Sequence, residues 1–346
     1  KKRPTLKTIA EITGFAVPTV SRALSDAPDI GAATKAKVLK VAKDLGYVPN
    51  HEGLRLRTGK TMNIALVLAI LDKVTDHSGM LIAAVARALR GTGYTLSITP
   101  YSPTDDPLAA VRQVVETKQA DAIIIEQIKQ DDLRVRFMAE EGFPFVMYGR
   151  TEVPGNFHFY DFDNHAFGVA AADTLITKGR KRILVILPPL DQTYARHIVE
   201  GIDSVLSPLG VEPEIMVGVH SLKDRQAAYD TIYQRLAEGP APDGLICCAS
   251  REAVVALRAM RQLDIRVGQD VDIFVKESFR LLGDIDSNVM TYFEDVEKAG
   301  AFLAKAAVRA IEEPDAPALQ FVDRADWTAQ SAAPNPSPPD KIGHTV

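Results

Sequence analysis

The stretch Thr5-Leu6-Lys7-Thr8-Ile9-Ala10-Glu11-Ile12-Thr13-Gly14-Phe15-Ala16-Val17-Pro18-Thr19-Val20-Ser21-Arg22-Ala23-Leu24-Ser25 decides the fold of one end of this chain. Apolar residues recur at helical spacing over 6–13 and again over 17–24, and Gly14 separates the two series. The second series carries Ser21, Arg22 and Ser25 on its other side. Two such short helices bury little surface alone, so the pattern predicts a helix-turn-helix whose second helix offers its polar face to the DNA major groove.

The positive charge of the chain is concentrated in the same region. Residues 1–60 contain 12 Lys and Arg against 5 Asp and Glu, a net charge of +7, although the chain as a whole carries −5. The remaining residues therefore carry −12. A basic domain supplies the phosphate contacts that DNA binding needs, while an acidic body repels DNA except where that domain docks.

A third helix is predicted over 32–45, after a polar turn at 26–31. The apolar residues expected to face the first two helices are Val38, Leu39, Ala42 and Leu45. Gly46 stands where a helix commonly ends, and Pro49 prevents its continuation. The three helices would share one small core.

Four motifs follow one another almost without gaps in this region. They are Leu6-x-x-Ile9-Ala10, Gly14-Phe15-Ala16-Val17-x-Thr19-Val20-Ser21-Arg22-x-Leu24, Thr34-x-x-Lys37-Val38 and Leu45-Gly46-Tyr47-x-Pro49-Asn50. Together they resemble the headpiece of the lactose-repressor (LacI) family. Ala16 departs from the family, which usually has a capping Ser or Thr there; losing the cap costs about 1 kcal/mol, and Pro18 in the first turn partly preorganises the helix.

The resemblance and the exposed face of the second helix together indicate DNA contacts. Arg22 is expected to contact guanine bidentately, with a contact to phosphate alone as the alternative. Val17 and Pro18 match base-selecting positions and would read a thymine methyl group or the groove shape, because neither side chain donates a hydrogen bond. The resemblance also implies that Leu56 lies in a hinge helix that orders on DNA and that it enters the minor groove, with Leu54 or simple packing as the alternative. The other implied DNA contacts, each of which could instead be a cap or a solvated group, are Thr5, Leu6 through its backbone, Thr19, Ser21, Ser25, Thr34 and Asn50.

From Asn63 onward, short apolar runs alternate with amphipathic helices, which predicts parallel sheets covered by helices. The runs are 64–70, 94–99, 122–125, 145–148, 183–187, 215–219, 244–248, 272–275 and 289–292. The helices lie near 79–92, 106–118, 131–141, 164–179, 195–209, 222–238, 251–263 and 294–312. So long a series fits two lobes, with a break near 159–163, and resembles the periplasmic-binding-protein-like effector domain of the same family.

We therefore predict an α/β chain with a three-helix headpiece plus hinge, then a two-lobed domain with parallel sheets. The predicted boundaries are 1–49 for the DNA-binding headpiece, 50–60 for the hinge helix, 61–328 for the effector-binding and dimerisation domain, and 329–346 for a disordered tail. The first lobe takes about 61–160 and 292–320, and the second about 161–291 and 321–328. The tail has no leucine heptads, which favours a homodimer over a tetramer.

Ligands of such lobes bind beyond the carboxyl ends of the strands. The residues that this rule and the resemblance select for effector binding are Arg150, Arg196, His197, His220, Ser250, Lys276 and Glu277. The family's sugar-binding pattern is only partly present, since an aspartate is common at the position of Gly149 and an arginine at that of Ile198. Glu277 occupies the position of a common sugar-binding aspartate, and Lys276 is unusual beside it.

The sequence thus predicts a transcriptional repressor of carbohydrate catabolism or uptake genes, which binds a near-palindromic operator in double-stranded DNA and is controlled by a sugar or polyol between the lobes. A regulator that responds to a purine or a phosphorylated metabolite is the alternative; an α/β enzyme or a solute-binding protein is more remote. No nucleophile elbow is present, and five residues rather than four separate Gly53 from Gly59, so no phosphate loop is predicted. We expect no cofactor, metal site, membrane span or export signal, and a cytoplasmic location.

Overall fold

The computed structural model of the chain describes residues 4–24, 26–47, 59–69, 76–102, 105–219 and 225–325. Five predicted features lie outside these ranges and stay predictions: Ser25, Asn50, Leu56 with most of its hinge, His220, and the tail. The chain separates into two compact units, residues 1–61 and 62–346. Each unit is described by itself.

The first unit contains three helices, α1 (Leu6–Thr13), α2 (Val17–Leu24) and α3 (Ala32–Asp44). Their shared core consists of Ile9, Ala10, Val20, Ala23, Val38 and Ala42. Thr5 caps α1, because its hydroxyl accepts the Thr8 backbone N–H at 3.3 Å while the Thr8 hydroxyl accepts the Thr5 N–H at 3.1 Å. This reciprocal pair fixes the start of the helix-turn-helix.

Two sequence expectations about this unit were wrong. Leu39 does not face the first two helices, since its side chain is 51% exposed. One residue after Val38, it is turned by about 100° around α3, beyond the narrow stripe that three short helices can cover. Ser21 does not lie on the exposed face of α2, since it is buried among the helices.

The second unit alternates strands and helices from β1 onward. The strands are β1 (Asn63–Ala69), β2 (Thr95–Tyr101), β3 (Ala122–Ile125), β4 (Phe145–Tyr148), β5 (His158–Phe162), β6 (Ile183–Leu187), β7 (Glu214–Val217), β8 (Gly244–Cys247), β9 (Asp272–Glu277), β10 (Met290–Phe293) and β11 (Gln320–Asp323). The helices are α4 (Asp76–Ala88), α5 (Pro107–Glu116), α6 (Leu133–Glu140), α7 (Asn164–Thr177), α8 (Thr193–Leu206), α9 (Arg225–Ala237), α10 (Ser250–Gln262), α11 (Leu282–Ile285) and α12 (Val296–Glu312), with a short 3-10 turn at Ser207–Leu209. Among the helices in the described ranges, none combines the length and apolar character that a membrane span requires.

These elements form two parallel sheets, each the centre of one lobe. The first sheet has the order β11-β5-β4-β3-β1-β2, and the second has the order β10-β9-β8-β6-β7. Apolar clusters fill both faces of each sheet. The chain passes from the first sheet to the second after β5 and returns after β10, so the carboxyl ends of both sheets face the region where the lobes meet.

The predicted lobe assignment needs two corrections at its edges. Residues 320–323 form β11, which pairs with β5 in the first sheet, so the second lobe does not regain the chain at 321. β10 pairs with β9 in the second sheet, so the first lobe does not resume at 292 but with α12. The first error follows from β5, which was interpreted as a break in the β–α alternation: without β5, β11 has no partner strand in the first lobe.

One close helix crossing positions part of the interlobe region. Where α7 crosses α8, a Cβ placed on Gly201 would lie 2.2 Å from the His165 carbonyl oxygen, and one on Gly168 would lie 2.4 Å from the Ile198 oxygen. Only glycine allows the two backbones to approach so closely. The contact fixes the start of α7, at Asn164, against the turn of α8 that carries His197.

Candidate functional site

The described headpiece presents a polar and partly apolar face along α2. Val17 and Pro18 are exposed, Thr19 is half-buried, and the Arg22 side chain is 58% exposed. Arg22 Nη2 lies 2.5 Å from Oδ2 of Asp29, in the turn between α2 and α3. The residues predicted to select bases are thus accessible to a nucleic acid.

The residues matched to phosphate-contacting positions are placed less uniformly. Thr5 is exposed but its hydroxyl serves as the α1 cap. Leu6 contributes its side chain to the small core, and its backbone lies in the first turn of α1, where N–H groups lack helical partners. Thr34 is half-buried in the first turn of α3. Ser21 is buried, unlike Arg22 beside it.

In the second unit, charged side chains gather where the strands end. Arg150 Nε donates to Asp161 Oδ2 at 2.6 Å, and Arg150 Nη2 lies 3.4 Å from Nδ1 of His197. Asp161 is buried in β5, and burial raises its pKa to about 6 although Arg150 opposes the rise. Burial and the Arg150 charge lower the pKa of His197, so its ring is neutral at pH 7 and can accept from the guanidinium.

Gly149 sets the direction of Arg150. Its φ of 116° belongs to a region that L side chains rarely adopt, and its N–H donates to the Tyr160 carbonyl at 2.7 Å. A Cβ there would also lie 3.2 Å from Ile128. An aspartate, which is common in the family at this position, would be strained in this conformation.

A second charged network is centred on Lys276, which is buried in β9. Its Nζ donates to Asn164 Oδ1 at 3.0 Å and lies 3.2 Å from Glu294 Oε2. The other carboxylate oxygen of Glu294 accepts the Tyr148 hydroxyl at 2.6 Å. Although burial alone would raise the pKa of Glu294, the Lys276 charge and these hydrogen bonds hold it below its usual value.

Aromatic rings enclose the Lys276 ammonium group. Nζ lies 5.3 Å from the centroid of the Phe162 ring and 5.2 Å from that of Tyr194. Both distances are in the range of a cation–π contact. The network therefore combines a neutralised ion pair with apolar ring faces.

The two lobes contact each other directly around these networks. His77, at the start of α4, stacks on Tyr148 at 5.6 Å, and its Nδ1 lies 3.1 Å from the Ser278 hydroxyl of the second lobe. At another point, the Thr193 N–H donates to the Ile128 carbonyl at 2.9 Å. Tyr148, Glu294 and Lys276 form a continuous hydrogen-bonded path from one sheet to the other. A molecule that entered between the lobes would compete with or extend these contacts.

The structure places the predicted effector residues differently from one another. Arg150, His197 and Lys276 belong to the interlobe networks. Arg196 lies outside these two networks: it is exposed and faces Glu152 of the first lobe at 3.9 Å and Glu200 of its own helix at 3.8 Å. Ser250 opens α10 and is half-buried.

Glu277 also stands apart from the networks. Successive residues of a strand point to opposite faces, so Glu277 faces away from Lys276. Its carboxylate accepts the Leu282 backbone N–H at 3.3 Å, next to the start of α11. The structure thus gives this side chain a local structural contact.

The members of the networks that were not predicted include Asp161, Asn164 and Glu294. Glu294 directly follows β10, so the rule that selected Lys276 could have found it. Asp161 and Asn164 were interpreted only as part of a break in the alternation of strands and helices. Within the described ranges, no group of three His, Cys, Asp or Glu side chains is arranged to hold a metal ion.

A basic helix-turn-helix unit joined in one chain to a two-lobed α/β unit is typical of a DNA-binding regulator. The chain belongs to the LacI family of bacterial regulatory proteins, and it is a transcriptional regulator, not an enzyme. Residues 5–50 match the family described as bacterial regulatory proteins, lacI family. Residues 62–297 match the family of periplasmic binding proteins and sugar binding domain of the LacI family.

Known relatives span nearly the whole chain. The transcriptional regulator AglR of Rhizobium meliloti (strain 1021) is 28% identical over 352 residues, covering 98% of each chain. The structure of the lac repressor dimer bound to operator and the anti-inducer ONPF has a TM-score of 0.75 at 19% identity, over 93% of this chain and 96% of that one. The complex of the regulator CelR with cellobiose has a TM-score of 0.66 at 22% identity, over 94% and 98%.

Proposed function

We propose that this protein is a repressor of genes for carbohydrate catabolism or uptake and that a neutral sugar or polyol, bound between the lobes, controls its affinity for an operator. The observation that carries the proposal is the internal charge compensation of the interlobe site. Arg150 is paired with Asp161, and Lys276 is paired with Glu294. The site thus offers many hydrogen-bond donors and acceptors but little net charge, which suits a ligand rich in hydroxyl groups.

The same pairing disfavours an anionic effector. A phosphorylated metabolite needs cations that are free to neutralise it, as arginine and lysine do when they bind phosphate. Here each cation already faces a buried carboxylate. The two histidines of the site, His77 and His197, have pKa values lowered chiefly by burial and are neutral at pH 7.

The aromatic side chains also favour a sugar over a purine. Tyr148 is covered by His77, and Tyr292 is buried among Phe162, Phe167 and Phe274. Neither ring offers a free face for a stacked base. The cellobiose bound by CelR, a relative in fold, supports a carbohydrate ligand.

The proposed mechanism uses the contacts that join the lobes. A ligand that bridges Arg150 and Lys276 would favour one relative arrangement of the lobes. It shifts the equilibrium only by its difference in affinity for the two arrangements. In a homodimer, such a change alters how two headpieces meet the two halves of a near-palindromic operator. The proposed site of action is the cytoplasm, where operator DNA is found.

A thermal-shift screen of the full chain tests the effector class. Neutral mono- and disaccharides and polyols are compared with sugar phosphates and purines. A ligand at 100 times its Kd stabilises the folded protein by roughly 2.7 kcal/mol, which is readily measured. We expect a neutral carbohydrate to raise the Tm of the wild type and of Arg196→Ala, a variant outside the networks, but not that of Arg150→Ala. A response confined to anionic compounds would contradict the proposal.

A further inference from the structure

The only acidic residue in contact with Arg22 in the described headpiece comes from the turn that follows α2. Asp29 Oδ2 lies 2.5 Å from Arg22 Nη2, and the two side chains are 46% and 58% exposed. So exposed an ion pair contributes little to folding stability. Its position on the surface predicted to read DNA points to a role in recognition.

The second carboxylate of the turn is arranged differently. Asp26 pairs with Lys35 of α3 at 2.6 Å, and the same ammonium group donates to the Asp26 carbonyl at 3.1 Å. Asp26 thus ties the turn to α3, whereas Asp29 contacts the side chain expected to read a base. The turn carries two acidic residues of equal charge but different partners.

Phosphate and guanine compete for an exposed guanidinium. A phosphate oxygen is negatively charged and occurs on every nucleotide, so a contact to it carries no sequence information. Guanine offers the neutral acceptors O6 and N7. A carboxylate held against the guanidinium repels a phosphate more than a base edge, and it restricts the rotamers of the long side chain.

We infer that Asp29 is a specificity-determining positioning residue: it orients Arg22 for guanine and keeps it from the DNA backbone. This inference rests on the proposed base-reading role of Arg22. Asp29 itself touches no base in the proposal. It lowers binding to non-operator DNA more than it lowers binding to the operator.

The test uses the full chain with Asp29→Asn, which keeps the shape and removes the charge. The operator is first selected by the wild type from random duplex DNA. Binding to it, to a version with its guanine replaced, and to an unrelated duplex is then measured at several salt concentrations. We expect Asp29→Asn to bind the unrelated duplex roughly fivefold tighter, with a salt slope steeper by about one phosphate contact, and to lose roughly fivefold in the operator-to-unrelated ratio.

Three controls separate positioning from general charge. Asp26→Asn removes the same charge from the same turn and should leave the ratio unchanged. In the Arg22→Ala background, Asp29→Asn should no longer alter the operator-to-unrelated ratio. The single variant Asp29→Glu, which keeps the charge, should retain more of that ratio than Asp29→Asn does. Equal effects of Asp26→Asn and Asp29→Asn, or an unchanged ratio in Asp29→Asn, would overturn the inference. If the wild type selects no sequence at all, the proposed operator recognition fails as well.

Discussion

Lys276 is more enclosed than Arg150, the other cation of the interlobe networks, and a single carboxylate, that of Glu294, compensates its buried charge. Its ammonium group is held by Glu294 and Asn164 beneath two aromatic rings. Burying two charges costs several kcal/mol each, which the mutual attraction offsets only while both partners are present. Removing one member therefore leaves an uncompensated charge in the protein interior.

We predict that Lys276→Met lowers the free energy of unfolding by about 3–5 kcal/mol at pH 7. The loss should shrink near pH 5, because Glu294 without its partner has a raised pKa and becomes neutral by taking up a proton. Urea denaturation at the two pH values measures both effects. Lys178→Met is the matched control. It removes a half-exposed lysine that lies 3.4 Å from Asp272, and Asp272 remains paired because Arg180 lies 2.6 Å from it. Equal losses in both variants would contradict the prediction.

Because its pKa is raised, Asp161 should make the folding stability depend on pH in the opposite sense to an ordinary paired carboxylate. Its pKa of about 6 in the folded protein exceeds its unfolded value, so the folded state holds the proton more tightly. Stability is therefore lost as the pH rises from about 4 to about 6, by roughly 3 kcal/mol for a shift of this size. Asp161→Asn keeps an acceptor for Arg150 but cannot ionise.

Urea denaturation of the wild type and Asp161→Asn between pH 4 and 7 gives the measurement. The variant should gain stability relative to the wild type as the pH rises. Other groups that titrate, such as Glu126 with its pKa raised by burial to about 7, are present in both proteins and cancel in the difference. A difference that does not change with pH would show that the Asp161 carboxyl keeps its usual pKa.

At the scale of elements, the crossing of α7 and α8 determines where two parts of the site stand. A methyl group on Gly201 would approach the His165 carbonyl to 2.2 Å, a distance that the rigid backbone of a neighbouring helix cannot relieve easily. Overpacking of this kind costs about 1–3 kcal/mol. The two helices must move apart to relieve it, which separates Asn164 from His197.

We predict that Gly201→Ala lowers the free energy of unfolding by about 1–3 kcal/mol, although alanine favours a helix more than glycine does. Thermal unfolding measures the change. Asp203→Ala, on the exposed side of the same helix, should leave stability nearly unaltered. The crossing would not be tight if Gly201→Ala matched or exceeded the wild type in stability.

Apolar runs in the sequence predicted every described strand except β5 and β11, and the predicted strands include the edge strands β2, β7 and β10. Residues 122–125, 145–148 and 183–187 are continuous apolar runs because both faces of the strand are buried. β5 reads His-Phe-Tyr-Asp-Phe and β11 has three exposed residues of four, so neither has such a run. The missed site residue Asp161 lies in the missed strand, and Arg150 and Lys276 were found because they adjoin strands that were seen.

At the scale of the molecule, one of the links between the lobes runs through a tyrosine hydroxyl. Tyr148 extends from the first sheet, Lys276 from the second, and Glu294 lies where the chain returns from one to the other. A change in the relative position of the lobes must lengthen or break this path. It is therefore a candidate for carrying part of the coupling between effector and operator.

We predict that Tyr148→Phe changes the effector-induced shift in operator affinity by about tenfold, since one hydrogen bond to a charged group contributes roughly 1.5 kcal/mol or more. Operator binding is measured with and without the carbohydrate identified by thermal shift. Tyr160→Phe is the control, because its hydroxyl donates to Asp323 within the first lobe at 2.6 Å. As a check, the factor by which operator DNA changes the affinity for the effector must equal the factor by which the effector changes the affinity for the operator. Identical coupling in wild type and Tyr148→Phe would exclude this path.

The order of the strands also has a consequence for synthesis on the ribosome. The second lobe is continuous in sequence from α7 to β10, whereas the first lobe lacks α12 and β11 until they are translated. Before then, the face of the first sheet that α12 covers, including Ile124 and Val146, remains open to solvent. The lobe that begins earlier is thus completed later, and during that interval the nascent chain presents an apolar surface of the kind that chaperones bind.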